Sequence, residues 1–157
     1  YTYRFIYIPE TIGSITYLSR NLEVLKKNTV AGFVLSCVGD NRDYSYVKTR
    51  YGNTITDKLL ENTLKHLVPS HKAYSFYHRG SDERQFNAPG VDLPVCSVSR
   101  TKYGAYPEYH TSKDDLNLIS PEGFAGEYEV MTKSLLVLEN NFKYRINVFC
   151  EPQLGKR

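Results

Sequence analysis

The chain has 157 residues, of which 41% are hydrophobic and 24% are charged, as in an ordinary globular domain. A formal net charge of +3 and the lack of a long lysine or arginine run argue against a nucleic-acid partner. No apolar stretch reaches the roughly 20 residues of a membrane helix, so no membrane partner is expected. Cys37, Cys96 and Cys150 lack metal-type spacing. We therefore expect buried free thiols and a cytoplasmic location.

Predicted strands and helices alternate along the chain. Aromatic, β-branched and continuous apolar runs predict strands at residues 3–8, 30–38, 73–77, 93–98 and 146–149. Apolar residues at helical spacing predict three helices: from Thr11 or Ser14 to about 28, from Asn53 or Thr54 to 67, and over 122–141. Residues 44–52 have no clear period and are predicted to form a loop. The run 30–38 is typical of a central strand that is covered on both faces.

This alternation predicts an α/β protein, a three-layer α/β/α sandwich with a mainly parallel mixed sheet. We expect residues 1–150 to form one domain and residues 151–157 to form a tail or linker. A strand that begins at residue 3 leaves a parallel sheet short of neighbours. The sheet is therefore expected to be incomplete at the N-terminal side.

The segment 80–116 is the most promising place for a functional site. Two polar loops, 80–90 and 99–115, flank the predicted strand 93–98. Loops of this length and charge are usually functional or disordered, and their aromatic residues argue against disorder. In α/β domains, loops at the ends of strands bind ligands.

Three residues are candidates for metal binding or proton transfer. His110 lies in a polar loop, and histidine is the commonest metal ligand; a histidine that only forms hydrogen bonds is the alternative. Glu10 follows a predicted strand, where a carboxylate can bind a cation or accept a proton, or can simply interact with a helix dipole. Asp40 follows the next strand, where an aspartate often bonds its own backbone instead.

Several other side chains are candidates for substrate contacts. Arg84, Arg100 and Tyr103 can bind a carboxylate group. Alternatively, and equally well, the two arginines can form ion pairs with Asp82 or Glu83.

Three motifs, in this order, resemble the C-terminal half of the two-zinc aminopeptidase superfamily: Ser81-Asp82-x-x-x-Phe86, Gly90-x-x-x-Pro94 and Tyr109-His110-Thr111-Ser112-x-Asp114. Four further sequence segments resemble those of bacterial aminopeptidase-like proteins associated with surface-polysaccharide gene clusters. These segments are Pro9-Glu10-Thr11-Ile12-Gly13-Ser14, Gly80–Gln85, Glu108–Ser112 and Glu151–Arg157.

The resemblance implies roles for the candidate residues. His110 matches the family's terminal zinc ligand. The family has two adjacent glutamates, a general base and a zinc ligand, where this chain has Pro9 and Glu10; position favours the ligand role for Glu10, and the base is left open. Asp40 corresponds to another ligand, although it lies later than expected, with Asp43 as its substitute. Asp82 is expected to support the site. Glu83 stands where the family has a histidine, so the resemblance leaves open which residues contact the substrate. Glu108 is a further candidate for a supporting or substrate contact.

The resemblance implies a zinc-dependent hydrolase that cleaves an amide at a free amino terminus, in a peptide-like or amide-containing small substrate. The family's two-zinc site takes about five protein ligands, and its upstream histidine and bridging aspartate have no counterpart here. We therefore expect the C-terminal part of a catalytic domain, holding one zinc ion or none by itself, completed by an N-terminal segment or by a homo-oligomer.

Two alternatives belong to other classes of function. The chain can be a catalytically degenerate binding or assembly module that kept the fold. It can also be a serine or cysteine hydrolase that pairs His110 and Asp82 with Ser97 or Cys96, although neither nucleophile lies in a typical elbow motif.

Overall fold

The computed structural model describes residues 1–147, 149–151 and 155. Four strands form one sheet, in the order β1-β4-β2-β3: β1 (Gly32–Leu35), β2 (Ser45–Val47), β3 (Lys72–Tyr74) and β4 (Val95–Ser99). The pairs β1–β4 and β2–β3 are parallel, and β2 is antiparallel to β4. The sheet is therefore mixed and mostly parallel, which confirms the predicted fold class.

Helices cover both faces of this sheet. They are α1 (Ile12–Asn28), α2 (Ile55–Leu67), the short α3 (Glu83–Phe86) and α4 (Pro121–Glu139). Successive residues of a strand point to opposite faces. In β4, Cys96 and Val98 pack with α2 and α4, whereas Val95 packs with Leu18 of α1. The result is three layers, with α1 on one side and α2 and α4 on the other.

The predicted helices are confirmed, and local capping explains where two of them begin. Thr54 and Asp57 form a reciprocal capping box at the start of α2. Ser120 caps α4 by accepting a hydrogen bond from the Gly123 amide, and Pro121 occupies the first turn. The side chain of Thr11 makes no such cap for α1. The start of α1 is held instead by a residue from a distant loop, described below.

The predicted strand at 3–8 is wrong: these residues lie outside the sheet and are largely exposed. A strand needs a partner for its backbone groups, and the sheet of the described residues offers none to this segment. Polar contacts hold it instead. The Tyr1 ammonium and the Tyr3 hydroxyl bond Glu139 of α4, and Arg4 donates to the Tyr17 hydroxyl at 2.8 Å.

Two other strand predictions and one loop prediction need correction. The run 30–38 forms only the four residues of β1, which are partly exposed because β1 lies at an edge of the described sheet. The predicted loop 44–52 contains β2, which is fully buried between β3 and β4. Of the predicted strand 146–149, residues 146, 147 and 149 are not in a strand, and residue 148 lies outside the described residues.

The remaining boundaries differ by small amounts. The strand predicted at 73–77 ends at Tyr74, and a single turn of 3-10 helix (Phe76–His78) follows it. In the predicted tail, only residues 151 and 155 are described. Among the helices of the described residues, none combines the length and the apolar character that a membrane crossing requires.

Candidate functional site

The carboxyl ends of β1 and β4 bring two loops together at one edge of the sheet. Because these strands are parallel, the loops that follow them meet there. Asp40, after β1, accepts hydrogen bonds from the Thr101 amide at 2.8 Å and from the Thr101 hydroxyl at 2.6 Å. The loop after β4, which carries His110, is therefore tied to the loop after β1.

Asp40 is buried and fully engaged in this contact. It also accepts a hydrogen bond from the Arg42 amide at 3.0 Å, and only 4% of its surface is exposed. Burial acts to raise the pKa of Asp40, but the hydrogen bonds from Thr101 and Arg42, with the Arg42 charge, outweigh it and hold the pKa below its usual value. Asp40 is an ionised carboxylate that organises the two loops. Its substitute, Asp43, forms an ion pair with Lys72.

Asp82 supports the turn that follows Glu10. Its Oδ1 accepts hydrogen bonds from the Thr11 amide at 2.7 Å and from the buried Ser14 hydroxyl at 2.9 Å. A carboxylate at the N-terminus of a helix is favoured there by the helix dipole and by the free amides. Asp82 thus caps α1 from a loop far away in the sequence and leaves the adjacent Glu10 exposed.

His110 is exposed and lies against an aromatic cluster, which we define as Tyr103, Tyr106 and Tyr109. Its imidazole stacks on the Tyr109 ring with 3.9 Å between the ring centroids. Tyr109 in turn contacts Tyr106 edge-on at 5.6 Å and Tyr103 at 6.4 Å. The imidazole is therefore accessible to a ligand, and the aromatic cluster fixes where it lies.

Glu10 and His110 lie on the same side of the molecule. Burial raises the pKa of Tyr109, and the neighbouring Cys37, Glu10 and Asp114 raise it further. Direct contacts join the two segments. Asp82 accepts a hydrogen bond from the Thr11 amide at 2.7 Å, and the adjacent Glu83 accepts one from Tyr103, which packs against Tyr109 beneath the His110 imidazole. For neither Glu10 nor His110 does the described part of the chain show a side-chain hydrogen bond.

Backbone strain concentrates at the same place. Four residues other than glycine have positive φ in the described ranges, and three of them belong to this region: Thr11, Cys37 and His110, at 62°, 56° and 58°. For a β-branched residue such as Thr11 this conformation is a genuine outlier. Strain of this kind costs about 1–3 kcal/mol per residue and clusters at functional sites.

Glu83 and Tyr103 form a buried pair beneath the His110 loop. The Tyr103 hydroxyl donates to Glu83 Oε1 at 2.5 Å, and the same oxygen accepts the amides of Gly80 at 2.8 Å and Ser81 at 3.2 Å. Glu83 Oε2 is buried and has no hydrogen-bond partner among the described residues. Neither side chain is exposed enough to meet a substrate.

The other predicted substrate residues lie in three different settings. Arg100 is buried, donates to the carbonyls of Asp43 and Gly123 at 2.7 and 2.9 Å, and therefore does not face solvent. Arg84 is exposed and donates to the Thr11 hydroxyl at 2.9 Å. Glu108 pairs with Arg42 at 3.1 Å near the opening of the site.

The serine or cysteine hydrolase alternative is wrong, because neither of the nucleophiles that it requires is accessible. Ser97 and Cys96 are inside β4 with no exposed surface, whereas His110 is exposed in a loop. The Cys96 thiol donates to Asp57 at 3.4 Å, and burial, together with the Asp57 charge, raises its pKa. In the described ranges, no three His, Cys, Asp or Glu side chains are placed so that they can hold a metal ion together.

Cys37 and Cys150 are not the buried thiols that the sequence predicts, because Cys37 is partly exposed and Cys150 is exposed. The position of Cys37 has no signal in the sequence. Its thiol is only partly buried, at the end of β1, and accepts a hydrogen bond from the Tyr106 hydroxyl at 3.3 Å. A cavity of about 170 Å³ lies beside it, with both polar and apolar walls: Cys37, Asp40, Tyr106, Asp114, Ile119 and Phe124. The positive φ that turns Cys37 towards this space has no sequence signal, because glycine is the usual residue there.

The fold is that of peptidase-like α/β proteins. A solved structure of a peptidase from Clostridium acetobutylicum superimposes on the chain with a TM-score of 0.84 and 44% identity, over 95% of this chain and 35% of that one. An aminopeptidase from Aneurinibacillus sp. strain AM-1 matches with a TM-score of 0.65 at 24% identity, over 80% of this chain and 30% of that one. The latter similarity shows the shared fold alone.

The chain belongs to the domain family of unknown function DUF4910, whose model matches residues 1–141. A curated relative from Clostridium acetobutylicum is 46% identical over 158 residues and is described as a polysaccharide biosynthesis protein with an aminopeptidase-like domain. The resemblance to aminopeptidase-like proteins is thereby confirmed. The chain matches this relative over its whole length but spans only 36% of it.

Proposed function

We propose that this chain forms part of a zinc-dependent hydrolase of aminopeptidase type, which cleaves an amide at a free amino terminus. The observation that supports the proposal best is the joint exposure of His110 and Glu10. Both lie on strained backbone or next to it, at one edge of the sheet, and neither side chain is engaged by a hydrogen bond within the described residues. Similarity to peptidase-like relatives supports the same reaction class.

The donors present fit zinc in kind but not in number. Imidazole nitrogen and carboxylate oxygen are ordinary zinc ligands, and a zinc ion usually takes four donors. We propose Glu10 and His110 as the ligands that this chain contributes. Asp40 is proposed as a supporting residue, because its oxygens already accept hydrogen bonds from Thr101 and Arg42.

The remaining ligands are proposed to come from further polypeptide of the same protein. The relative described above is long enough to supply them, because this chain matches only 36% of it. A second copy of the chain is the other source. Measuring the mass of the zinc-loaded protein in solution distinguishes the two, since a site shared between copies requires a dimer.

Bound zinc would lower the pKa of a coordinated water and polarise the scissile carbonyl. The chain's own residues would do the rest. Glu10 and His110 hold their donor atoms at the site, and Asp82 fixes the turn that carries Glu10. The cavity beside Cys37 and Tyr106 is proposed to receive part of a peptide-like or amide-containing small substrate.

The test is a comparison of two histidine variants in the full-length protein. We expect His110→Ala to lose zinc and to reduce hydrolysis of aminoacyl p-nitroanilides at least 100-fold, with loss of activity in wild type on chelation. His66→Ala is the matched control, because His66 is exposed on α2. Zinc content is measured by atomic emission.

Two outcomes contradict the proposal. Hydrolysis that survives chelation would exclude zinc dependence. Equal activity and zinc content in the two histidine variants would remove His110 from the site, whereas a wild-type protein without hydrolysis or bound zinc would favour a degenerate binding module. A cytoplasmic location is kept as a proposal, supported by three cysteines that form no disulfide with one another.

A further inference from the structure

We infer that the buried Glu83–Tyr103 pair is a positioning device for the exposed His110 imidazole, and that Tyr103 is a positioning residue rather than a substrate-binding one. The inference deepens the proposed function, because it rests on His110 as a metal ligand. The sequence predicts that Tyr103 contacts the substrate. The inference gives Tyr103 and Glu83 a supporting role instead.

The first step concerns what holds Tyr103. Its hydroxyl donates to Glu83 Oε1 at 2.5 Å, and the amides of Gly80 and Ser81 fix that same oxygen. A β-carbon on Gly80 would lie 2.7 Å from the Tyr103 ring, so only glycine leaves room for the ring. On the ring's face, the Lys102 ammonium lies 4.0 Å from its centroid. Tyr103 therefore has one defined position.

The second step leads from Tyr103 to the imidazole. Tyr109 packs against Tyr103 at 6.4 Å, and His110 stacks on Tyr109 at 3.9 Å. His110 has positive φ, a conformation that a histidine adopts only where its surroundings hold it. The contacts from Glu83 through Tyr103 and Tyr109 provide such a hold, since no hydrogen bond to the imidazole is present in the described residues.

The hydrogen bonds of Glu83 predict which substitutions the pair tolerates. A carboxylate with one oxygen occupied by three donors and the other without a partner is costly to bury. A glutamine keeps an oxygen for the three donors and carries no charge. If positioning is the role, Glu83→Gln should therefore preserve the site, whereas Glu83→Ala should not.

The chain contains a matched control for the Tyr103 hydroxyl. Tyr46 is also buried, and its hydroxyl donates to Glu61 at 2.5 Å, in the core formed with α2 and α4. Tyr46→Phe and Tyr103→Phe thus each remove one phenol-to-carboxylate hydrogen bond. Only Tyr103 is connected to the His110 stack.

The experiment measures zinc affinity in the full-length protein by competition with a chromophoric chelator. Outer-shell partners of a metal site typically change affinity 10–100-fold. We expect a loss in this range for Tyr103→Phe and Glu83→Ala, and less than threefold for Tyr46→Phe and Glu83→Gln. Equal effects of the two tyrosine variants, or no effect of Tyr103→Phe, would overturn the inference.

A second readout needs no metal and separates this inference from the proposed function. The imidazole carbon and proton resonances of His110 are measured by NMR in metal-free protein, where stacking on Tyr109 shifts them. We expect Tyr103→Phe to move these resonances and Tyr46→Phe to leave them in place. If wild type binds no zinc, the proposed function fails, and the NMR result alone decides whether the pair positions His110.

Discussion

Asp40 and Thr101, which lie 61 residues apart in the sequence, are joined by two hydrogen bonds of 2.8 and 2.6 Å at the carboxyl ends of β1 and β4. Thr101 presents its amide and its hydroxyl to the same carboxylate. The contact fixes the start of the loop that carries His110 relative to the neighbouring strand. The candidate site therefore depends on a contact that is itself buried.

The first prediction tests whether Asp40 holds the two loops together or binds the metal. We expect Asp40→Asn to lower the free energy of unfolding by about 2 kcal/mol, because it weakens charge-assisted hydrogen bonds, and to change zinc affinity less than threefold. Denaturant unfolding and metal competition measure the two effects. Thr101→Val, which removes only the hydroxyl, should show part of the same loss in stability. A tenfold loss of zinc affinity at unchanged stability would instead make Asp40 a ligand.

The second prediction concerns the buried Glu127 on α4. Both of its oxygens lack a hydrogen-bond partner in the described part of the chain. Burial raises the pKa of Glu127 from 4.5 to about 7, and the charge of Arg100 only partly opposes this rise. Between these values the folded protein keeps a proton that the unfolded chain has lost, so stability falls as the pH rises.

We expect wild type to lose roughly 3 kcal/mol between pH 4.5 and 7 through this one group, at about 1.4 kcal/mol for each pKa unit. Glu127→Gln should remove most of this slope. Unfolding is measured by denaturant titration at several pH values. Glu129→Gln, at an exposed position of the same helix, should keep the wild-type slope. A Glu127→Gln protein that retains the full slope would refute the assignment.

The third prediction concerns Asp57, which caps α2 and holds a buried turn. Its carboxylate accepts the amide and hydroxyl of Thr49 at 2.8 and 2.5 Å and the Thr54 amide at 2.8 Å. We expect Asp57→Ala to cost about 3 kcal/mol of unfolding free energy, because several buried donors lose their acceptor. Asn62→Ala, exposed on the same helix, should cost less than about 1 kcal/mol.

The loss should depend on pH. Burial acts to raise the pKa of Asp57, but the hydrogen bonds from Thr49 and Thr54 outweigh it and leave the pKa below 3.8. A depressed pKa means that the carboxylate contributes its stability above pH 3.8 and loses it as the pH falls through the folded-state pKa. The gap between wild type and Asp57→Ala should therefore narrow in acid. A gap that stays constant down to pH 2 would contradict this account.

The fourth prediction uses the close approach of α4 to the loop after β1. A β-carbon on Gly123 would lie 2.0 Å from the carbonyl oxygen of Gly39. Replacing glycine by alanine usually stabilises a helix, but here we expect Gly123→Ala to cost about 3 kcal/mol by overpacking. The exposed Ala125→Gly should cost about 1 kcal/mol by propensity alone. Thermal unfolding compares the two, and a stabilised Gly123→Ala protein would show that the helix can shift.

The helices could be predicted from the sequence because their signals are local. The capping residues Thr54 and Asp57, the Ser120-Pro121 start and the apolar period all lie within a few residues of one another. The strand β2 could not be predicted, because three residues are too short for a period, and its burial comes from β3 and β4 on either side. The segment 3–8 shows the converse, a strand-like sequence without a neighbouring strand.

The candidate site could be predicted only in part, for a similar reason. Glu10 and His110 stand out by residue type and by the resemblance, although the strand predicted in front of Glu10 is not formed. Asp82 and Glu83 have roles set by partners far away, Ser14 and Tyr103, which no local pattern links to them. Arg100 was predicted as a substrate contact, but its guanidinium is used by backbone carbonyls inside the fold.

Among the described residues, the strand β1 (Gly32–Leu35) pairs with β4 on one side only, and the backbone amides and carbonyls on its other side are available to an extended peptide. Such an edge, without a charge or proline to block it, recruits like strands from neighbouring molecules. When produced on its own, this 157-residue stretch should therefore assemble into β-rich oligomers at high concentration, and a lysine in place of Val34 should keep it dispersed.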